Sequence, residues 1–224
     1  MGKISLAFIY ILSYSLLQQA PVAQLDRATP SGGVGQGFES SRARHCLKCE
    51  RKNKMKLNIG GLSPATGWKT MHPSVEANIK GDFGDLGQFE DDSVEIIYSC
   101  HLLQRLGYNE ELPQAMAECF RILQPGGEIL ISVPDMAPLA ALFVHDKATP
   151  EHQWHLMRIL FGGQMDDDDY NVIGFTADFL ATYFTNAGFE SIKCVEDFRL
   201  FEDASQEKLN NISISLNMKA KKPA

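Results

Sequence analysis

Residues 121–135 read RILQPGGEILISVPD, and this stretch decides the fold. Its second half, Ile129–Val133, is almost entirely apolar, which is typical of a parallel strand covered on both faces. A turn at Pro125–Gly127 precedes that run, and Pro134 ends it because proline lacks the N–H that a strand ladder needs. The stretch therefore predicts the end of a helix, a turn and a buried central strand.

The residues upstream carry the period of a helix. Asn109 suits an N-cap, and Glu110 and Glu111 fall in the first turn, where the helix dipole favours anions. Apolar side chains then recur at intervals of three and four, which gives one stripe for packing on a sheet: Leu112, Ala115, Met116, Cys119, Phe120 and Leu123.

Strand and helix signals alternate along the rest of the chain. Short apolar, β-branched runs predict strands, and apolar residues spaced by three and four predict helices. The predicted strands are 56–59, 68–71, 75–80 and 94–100, the predicted helices 151–161 and 176–187, and the closing strands 189–198 and 210–220. This order predicts an α/β, Rossmann-like doubly wound, mostly parallel sheet with an antiparallel C-terminal strand pair at its edge.

The first 54 residues read differently from the remainder. Residues 6–17 form an apolar run with the length of a signal-peptide core, shorter than a membrane-spanning helix needs. Residues 21–45 are rich in Gly, Ser and Arg and have no period of 2 or 3.6. We therefore expect residues 1–54 to be a disordered or non-native extension, Met55 to be the biological start, and residues 55–224 to form the functional domain.

Two further features of this extension bear on its interpretation. Residues 21–45 resemble the peptide produced when a bacterial transfer-RNA gene is translated by mistake within an extended reading frame. Cys46 and Cys49, beside His45, form half of a zinc-binding pattern, but a structural zinc site needs four ligands and no second pair follows at a suitable spacing. We therefore expect no metal.

Charge separates the same two parts of the chain. Residues 1–54 hold eight Lys and Arg against three Asp and Glu, whereas residues 55–224 hold thirteen against twenty-five. So acidic a domain repels phosphate backbones, which argues against nucleic acid as a partner and favours a small-molecule substrate. The five scattered cysteines suit a reducing compartment. We expect a cytoplasmic protein without a membrane partner, and the sequence does not indicate its oligomeric state.

Several motifs, taken in order, resemble one enzyme family over about residues 55–218. They are Leu57–Gly61, Gly67-Trp68, Gly81-Asp82 followed by Leu86 and Phe89, Asp92–Tyr98, Arg121–Gly127 and Ile131–Asp135. Together they are similar to the compact class I S-adenosylmethionine (SAM)-dependent methyltransferases of the type 11 group. The resemblance implies that SAM is the cofactor and that a methyl group passes from it to a small-molecule or carrier-linked acceptor.

The resemblance also implies a cofactor site. Asn58, Gly60 and Gly61 would line the methionine and ribose portion, since glycine allows close approach of the backbone. Asp82 would accept a hydrogen bond from the adenine amino group, with Phe83 packing nearby. Capping of the turn after the third strand is the alternative role of Asp82.

Three further residues follow strand ends on the ligand side. Ser99 would place its backbone near the sulfonium. His101 and Asp135 are candidates for positioning the acceptor or removing its proton. Helix capping or a solvated surface role is the alternative for both.

The chain also departs from the family pattern, and the departures keep two other functions open. Only six residues separate Gly61 from Trp68, and where the family has an acidic residue for the ribose hydroxyls this chain has His72 or Glu76. Where the family typically has His-x-Leu-Glu-His-Leu, this chain has His101-Leu-Leu-Gln104-Arg105-Leu106. The alternatives are an inactive methyltransferase-like binding module and a nicotinamide-dependent oxidoreductase; the second lacks a Gly-x-Gly-x-x-Gly segment that opens a helix.

Deletion of residues 1–54 tests the expected domain division. Because this segment has no pattern that could bury a core, we expect the truncated chain to melt at the same temperature as the full chain. Differential scanning calorimetry of both proteins measures this directly. A lower melting temperature for the truncated chain would show that residues 1–54 stabilise the domain.

Overall fold

A computed structural model describes residues 55–61, 65–73, 77–166 and 169–224. The predictions made for residues 1–54, including the cysteine pair Cys46 and Cys49, lie outside the described residues. Glu76, one of the two residues near the expected ribose position, lies outside them as well. Among the helices of the described ranges, none is long and apolar enough to cross a membrane.

The described residues form a seven-stranded, mostly parallel sheet. Its strands are β1 (Met55–Ile59), β2 (Trp68–His72), β3 (Ile79–Lys80), β4 (Val94–Cys100), β5 (Leu123–Pro134), β6 (Glu190–Val195) and β9 (Ser215–Lys221). The order is β3-β2-β1-β4-β5-β9-β6, and β9 runs antiparallel to both of its neighbours. A small hairpin of β7 (Lys208–Leu209) and β8 (Ile212–Ser213) precedes β9. The predicted fold class is confirmed.

Four α-helices belong to the described part of the chain: α1 (Glu111–Ile122), α2 (Met136–Phe143), α3 (Pro150–Phe161) and α4 (Ala177–Asn186). Two short 3₁₀ helices follow strands, at Phe83–Gln88 after β3 and at Leu103–Arg105 after β4, and a third spans Ala204–Gln206. The predicted cap of α4 is confirmed, because the Thr176 side chain accepts a hydrogen bond from the Phe179 N–H.

Some local predictions were wrong. The N-cap of α1 is Glu110, without a side-chain capping bond, rather than Asn109. The predicted turn at Pro125–Gly127 is a bulge within β5, because Val94 pairs with Leu123 while Ile96 pairs with Glu128. The closing strands do form the predicted antiparallel pair, with β6 at one edge of the sheet and β9 next to it. Helix α2 was not predicted.

One face of the sheet carries the main core. Alternate residues of the central strands point to it and are fully buried, including Leu57, Ile97 and Ile131. Helix α1 packs on this face through Leu112, Met116 and Cys119, and α4 through Leu180 and Phe184. Burial of several large aliphatic and aromatic side chains here, each contributing about 1.5–3 kcal/mol, holds the helices on the sheet.

The opposite face is covered by an irregular segment, residues 196–207, which we call the strap. The connections β1–β2 and β2–β3 are eight and six residues long, shorter than a helical crossover needs, and their described residues contain no helix. The strap instead places Phe201 against Trp68 and Tyr98, with ring centroids 5.2 and 4.7 Å apart.

Polar contacts fix the strap to the sheet. The Tyr98 hydroxyl donates to Asp203 Oδ2 at 2.6 Å, and Tyr98 is only 1% exposed. Asn217 Nδ2 donates to the carbonyl oxygens of Glu196 and Ser205, both at 2.8 Å. Because these groups are buried or partly buried, each unmade bond would leave a polar atom without a partner.

Replacement of Tyr98 by Phe tests the importance of the strap. The Y98F variant leaves Asp203 Oδ2 without the Tyr98 donor, and we expect the free energy of unfolding to fall by about 2 kcal/mol. Urea unfolding followed by circular dichroism measures it. Tyr108→Phe is the matched control, because Tyr108 is 49% exposed; equal stability of the two variants would contradict the proposed role of the strap.

Candidate active site

The carboxyl ends of the central parallel strands meet at one edge of the sheet. Ile59 at the end of β1 pairs with Ser99 near the end of β4, and Ser99 pairs with Ile131 of β5. The residues that follow these strands therefore lie along this edge, where ligands bind in open α/β sheets. The sequence-predicted residues Gly60, His101 and Asp135 all occupy it.

The two glycines after β1 are required by their surroundings. Gly60 has φ +89°, and a Cβ atom there would lie 2.9 Å from Leu102 Cδ2. A Cβ atom on Gly61 would lie 2.2 Å from Asn58 Nδ2. Asn58 is 3% exposed, so its amide is packed beside the Gly61 backbone. Any larger residue at position 61 would displace this amide.

Asp82 caps the 3₁₀ helix Phe83–Gln88. Its Oδ1 accepts from the Gly84 N–H at 2.7 Å, and Asp85 Oδ2 accepts from the Asp82 N–H at 3.1 Å. The alternative role of Asp82 as a cap is therefore observed. Its Oδ2 accepts no hydrogen bond from the described residues, and the side chain is exposed. One carboxylate oxygen is thus available to a ligand.

Met71 brings the glycine turn and the Asp82 turn together. The Gly60 N–H donates to the Met71 carbonyl oxygen at 2.8 Å. The Met71 Cε atom lies 2.8 Å from the position of a Cβ atom on Gly81, the residue before Asp82. Met71 therefore contacts both the turn that carries Gly60 and the turn that precedes Asp82, which follow the two strands on either side of β2.

Two residues predicted for the cofactor site are buried. Phe83 is 3% exposed and belongs to the main core. Ser99 is 1% exposed, and its Oγ has no hydrogen-bond partner among the described residues. The Phe83 ring therefore packs in the core beside the Asp82 turn. Ser99 contributes only its backbone to the carboxyl edge.

His101 is held tightly at the end of β4. Its backbone has φ +50°, and its N–H donates to the Ser132 carbonyl oxygen. The Ser215 hydroxyl donates to the Ala204 carbonyl oxygen at 2.6 Å, so the His101 Nε2–H must be the donor to Ser215 Oγ at 2.9 Å. The Nδ1 atom of the neutral ring then carries the lone pair.

Burial lowers the pKa of His101 to about 4, with the nearby Asp203 carboxylate opposing part of the shift. The ring is therefore neutral at neutral pH. A base with so low a pKa is poorly matched to proton removal near pH 7. His101 suits positioning of an acceptor better than proton transfer.

Asp135 differs from His101 in that its pKa is raised. It is the N-cap of α2, where its Oδ1 accepts from the Ala137 N–H at 3.1 Å. The residue is 7% exposed, and burial raises its pKa to about 6, against a smaller lowering by the Ala137 bond. Its capping role is confirmed, and its pKa lies close to the value that suits a general base.

Gln104 is a buried polar residue after β4 that was not among the predicted site residues. It is 4% exposed, and its Oε1 has no partner among the described residues. The backbone carbonyl oxygen of Gln104 accepts from the N–H groups of Val172 and Ile173. These bonds tie the loop after β4 to the segment that leads to Phe175, which pairs with Asp135. The departure from the family pattern at Gln104 and Arg105 was the signal that could have indicated it.

The Arg-x-Leu-x-Pro-Gly-Gly segment at residues 121–127 has a structural role in this chain. Arg121 donates to the carbonyl oxygens of Leu86 and Phe89 and pairs with Glu118 and Asp91. Hydrogen bonds from Arg121 to Glu118 and Asp91 raise its pKa. Arg121 therefore anchors the turn that carries Asp82 to helix α1.

Known proteins resemble this chain in sequence pattern and in fold. Residues 33–131 match the family model described as a methyltransferase domain. This chain carries a methyltransferase domain. The match ends inside β5, so it includes the Gly60 turn, the Asp82 turn and the end of β4.

Solved structures share the fold of this methyltransferase domain. A Listeria monocytogenes protein assigned as a SAM-dependent methyltransferase superposes with a TM-score of 0.50 and 14% identity, over 77% of this chain and 92% of that one. A possible exported protein from Bordetella parapertussis gives a TM-score of 0.50 and 15% identity, over 77% of this chain and 62% of that one. No curated protein sequence matches.

The raised pKa of Asp135 predicts a pH dependence of stability. Its folded-state pKa lies above the unfolded value of 3.8, so its contribution is fully present below pH 4 and is lost as the pH rises through about 6. The free energy of unfolding should therefore fall by about 2–3 kcal/mol over this pH range, and we expect Asp135→Asn to abolish that fall. Urea unfolding at several pH values between 4 and 7 measures it, with Asp178→Asn as the exposed control. An unchanged pH profile in D135N would contradict the burial of a charged Asp135.

Proposed function

We propose that this methyltransferase uses SAM and transfers its methyl group to a small-molecule or carrier-linked acceptor at the carboxyl edge of β1, β4 and β5. The contact of Met71 with both the Gly60 turn and the turn that precedes Asp82 is the observation that carries the proposal. When bound, SAM supplies a methyl group on a positively charged sulfur. The chain itself has to bind it, orient the acceptor and manage one proton.

Asp82 supports binding of the adenosine half. Its Oδ1 is used by the Gly84 N–H, which fixes the carboxylate, while its exposed Oδ2 is free to accept from an exocyclic amino group. The cap therefore orients the ligand-binding oxygen, and the two roles considered for Asp82 are compatible. A charge-assisted bond of this kind contributes about 1.5–3 kcal/mol.

The glycine turn supports the methionine and ribose half, with one restriction. Gly60 and Gly61 leave the backbone bare on the ligand side, but Leu102 packs at Gly60 and Asn58 at Gly61. The ligand would therefore meet an aliphatic side chain and a buried amide as well as glycine backbone. This arrangement fits the apolar side of the methionine chain against Leu102.

Proton removal falls to Asp135 in this proposal. Asp135 Oδ1 is bound by the Ala137 N–H, and Oδ2 makes no hydrogen bond with the described residues. With a pKa of about 6, the group is mostly ionised at neutral pH and still basic enough to take a proton from an acceptor. The neutral His101 ring and the unpaired Gln104 Oε1 are the nearby groups available for orientation.

The acidic charge of residues 55–224 supports a small or carrier-linked acceptor over nucleic acid. An acceptor that reaches the carboxyl edge would lose its proton to Asp135 as the methyl group is transferred. An inactive binding module would bind SAM through the same Asp82 and glycine contacts without turnover, so activity with candidate acceptors separates the two functions.

Binding of S-adenosylhomocysteine to the full chain tests the cofactor. Calorimetry should show binding of S-adenosylhomocysteine and not of NAD. We expect Asp82→Asn to weaken binding about tenfold, because the charge-assisted acceptor is lost. Asp85→Asn is the matched control: it disturbs the same capping box from its other side but has no predicted ligand contact.

The variants separate capping from ligand contact. Equal weakening by D82N and D85N would show that Asp82 acts only through the fold of its turn. Binding of NAD in place of S-adenosylhomocysteine would overturn the proposal.

A further inference from the structure

A cavity of about 410 Å³ lies away from the glycine turn. It is formed by the end of α2, the loop before α3, the first turns of α3 and the tip of the β7–β8 hairpin. Its size is within the range of small-molecule sites. Asp135 caps the other end of α2, seven residues before Leu142, so the axial rise of the helix separates the two by about 10 Å.

One side of this cavity is apolar and well supported. Leu142, Leu156 and Leu209 line it, and Leu156 is 3% exposed within a small core that also contains Leu139 and Ile214. The hairpin wall is fixed by the two-residue turn Asn210-Asn211, whose residues both have positive φ, as type I′ turns require. This side offers a stable surface for a short aliphatic group.

The other side of the cavity presents hydrogen-bond donors. The Lys147 N–H donates to Nδ1 of His145 at 3.2 Å, and the Thr149 N–H donates to Nδ1 of His152 at 3.4 Å. In the neutral rings the remaining proton therefore lies on Nε2, which makes each ring a donor. Lys147 adds an ammonium group, and His155 also lines this side.

The charge of the lining is opposite to that of the domain. The lining residues include no Asp or Glu, although residues 55–224 hold twenty-five acidic against thirteen basic residues. Asp146, whose carboxylate lies 3.3 Å from His145 Nδ1, is 87% exposed and outside the lining. Across the described ranges, no group of three or more His, Cys, Asp or Glu is arranged to hold a metal ion. With Lys147 and three histidines but no acidic side chain in its lining, the cavity favours an anion.

We propose that this cavity binds a small organic anion, with a carboxylate or phosphate head at Lys147 and the histidines and a short aliphatic body against Leu142, Leu156 and Leu209. The head group would receive charge-assisted hydrogen bonds, and the body would leave water. This site is additional to the candidate active site and does not depend on the proposed methyl transfer.

Titration of the full chain with hexanoate and with hexyl phosphate tests the site. We expect saturable binding of at least one of them, with a Kd on the order of 1 mM. Calorimetry or NMR shifts measure this binding. The tighter ligand identifies the preferred head group. Hexylamine, which has the same aliphatic body and a cationic head, should not bind.

Lys147→Gln should weaken binding of the anions about fivefold or more. Lys193→Gln is the matched control, because it removes one exposed lysine from β6 on another part of the domain. Equal binding by the two variants, equal binding of hexylamine, or no saturable binding of either anion would each overturn the proposal. None of these outcomes depends on SAM binding.

Discussion

The 2.6 Å hydrogen bond between the Tyr98 hydroxyl and the Asp203 carboxylate joins the strap to the central strand of the sheet. Asp203 also caps the short helix Ala204–Gln206 through the Ser205 N–H. The Ala204 carbonyl oxygen accepts from Ser215, which in turn receives the His101 Nε2–H. One buried contact therefore connects the cover of the sheet to the carboxyl edge where the candidate active site lies.

The bond between Tyr98 and Asp203 explains how the domain tolerates the short β1–β2 and β2–β3 loops. With eight and six residues between β1, β2 and β3, helices cannot cover the adjoining face. Aromatic rings from the strap and from Trp68 and Tyr98 take that place, and burial raises the pKa of the Tyr98 hydroxyl and raises that of the neighbouring Cys100 thiol to about 12. Both groups therefore remain protonated donors beneath the strap.

Local patterns account for what sequence analysis predicted correctly. The apolar run in β5 and the three-and-four spacing in α1 reflect burial within single elements. The strap could not be predicted in this way, because Tyr98 and Asp203 are 105 residues apart. The Asn109 cap was wrong since the helix begins one residue later than the capping pattern indicates.

In the candidate site, too, some features could be predicted from the sequence and others could not. The topology of a parallel sheet places Gly60, His101 and Asp135 at one edge whatever the side chains do. The packing of Leu102 on Gly60, the burial of Gln104 and the raised pKa of Asp135 depend on contacts between distant segments. Asp82 shows both kinds of information, because its turn was visible in the sequence while its free Oδ2 became visible only in the fold.

The proposed function requires a SAM-like nucleoside to lie across the carboxyl ends of β1, β3 and β4. Two-dimensional NMR of the isotope-labelled full chain during titration with S-adenosylhomocysteine locates the ligand. We expect the largest amide shifts on residues 60–61, 82–84 and 99–101. Shifts confined to the cavity beside Lys147 and Leu209, or spread evenly over the domain, would contradict the proposed function.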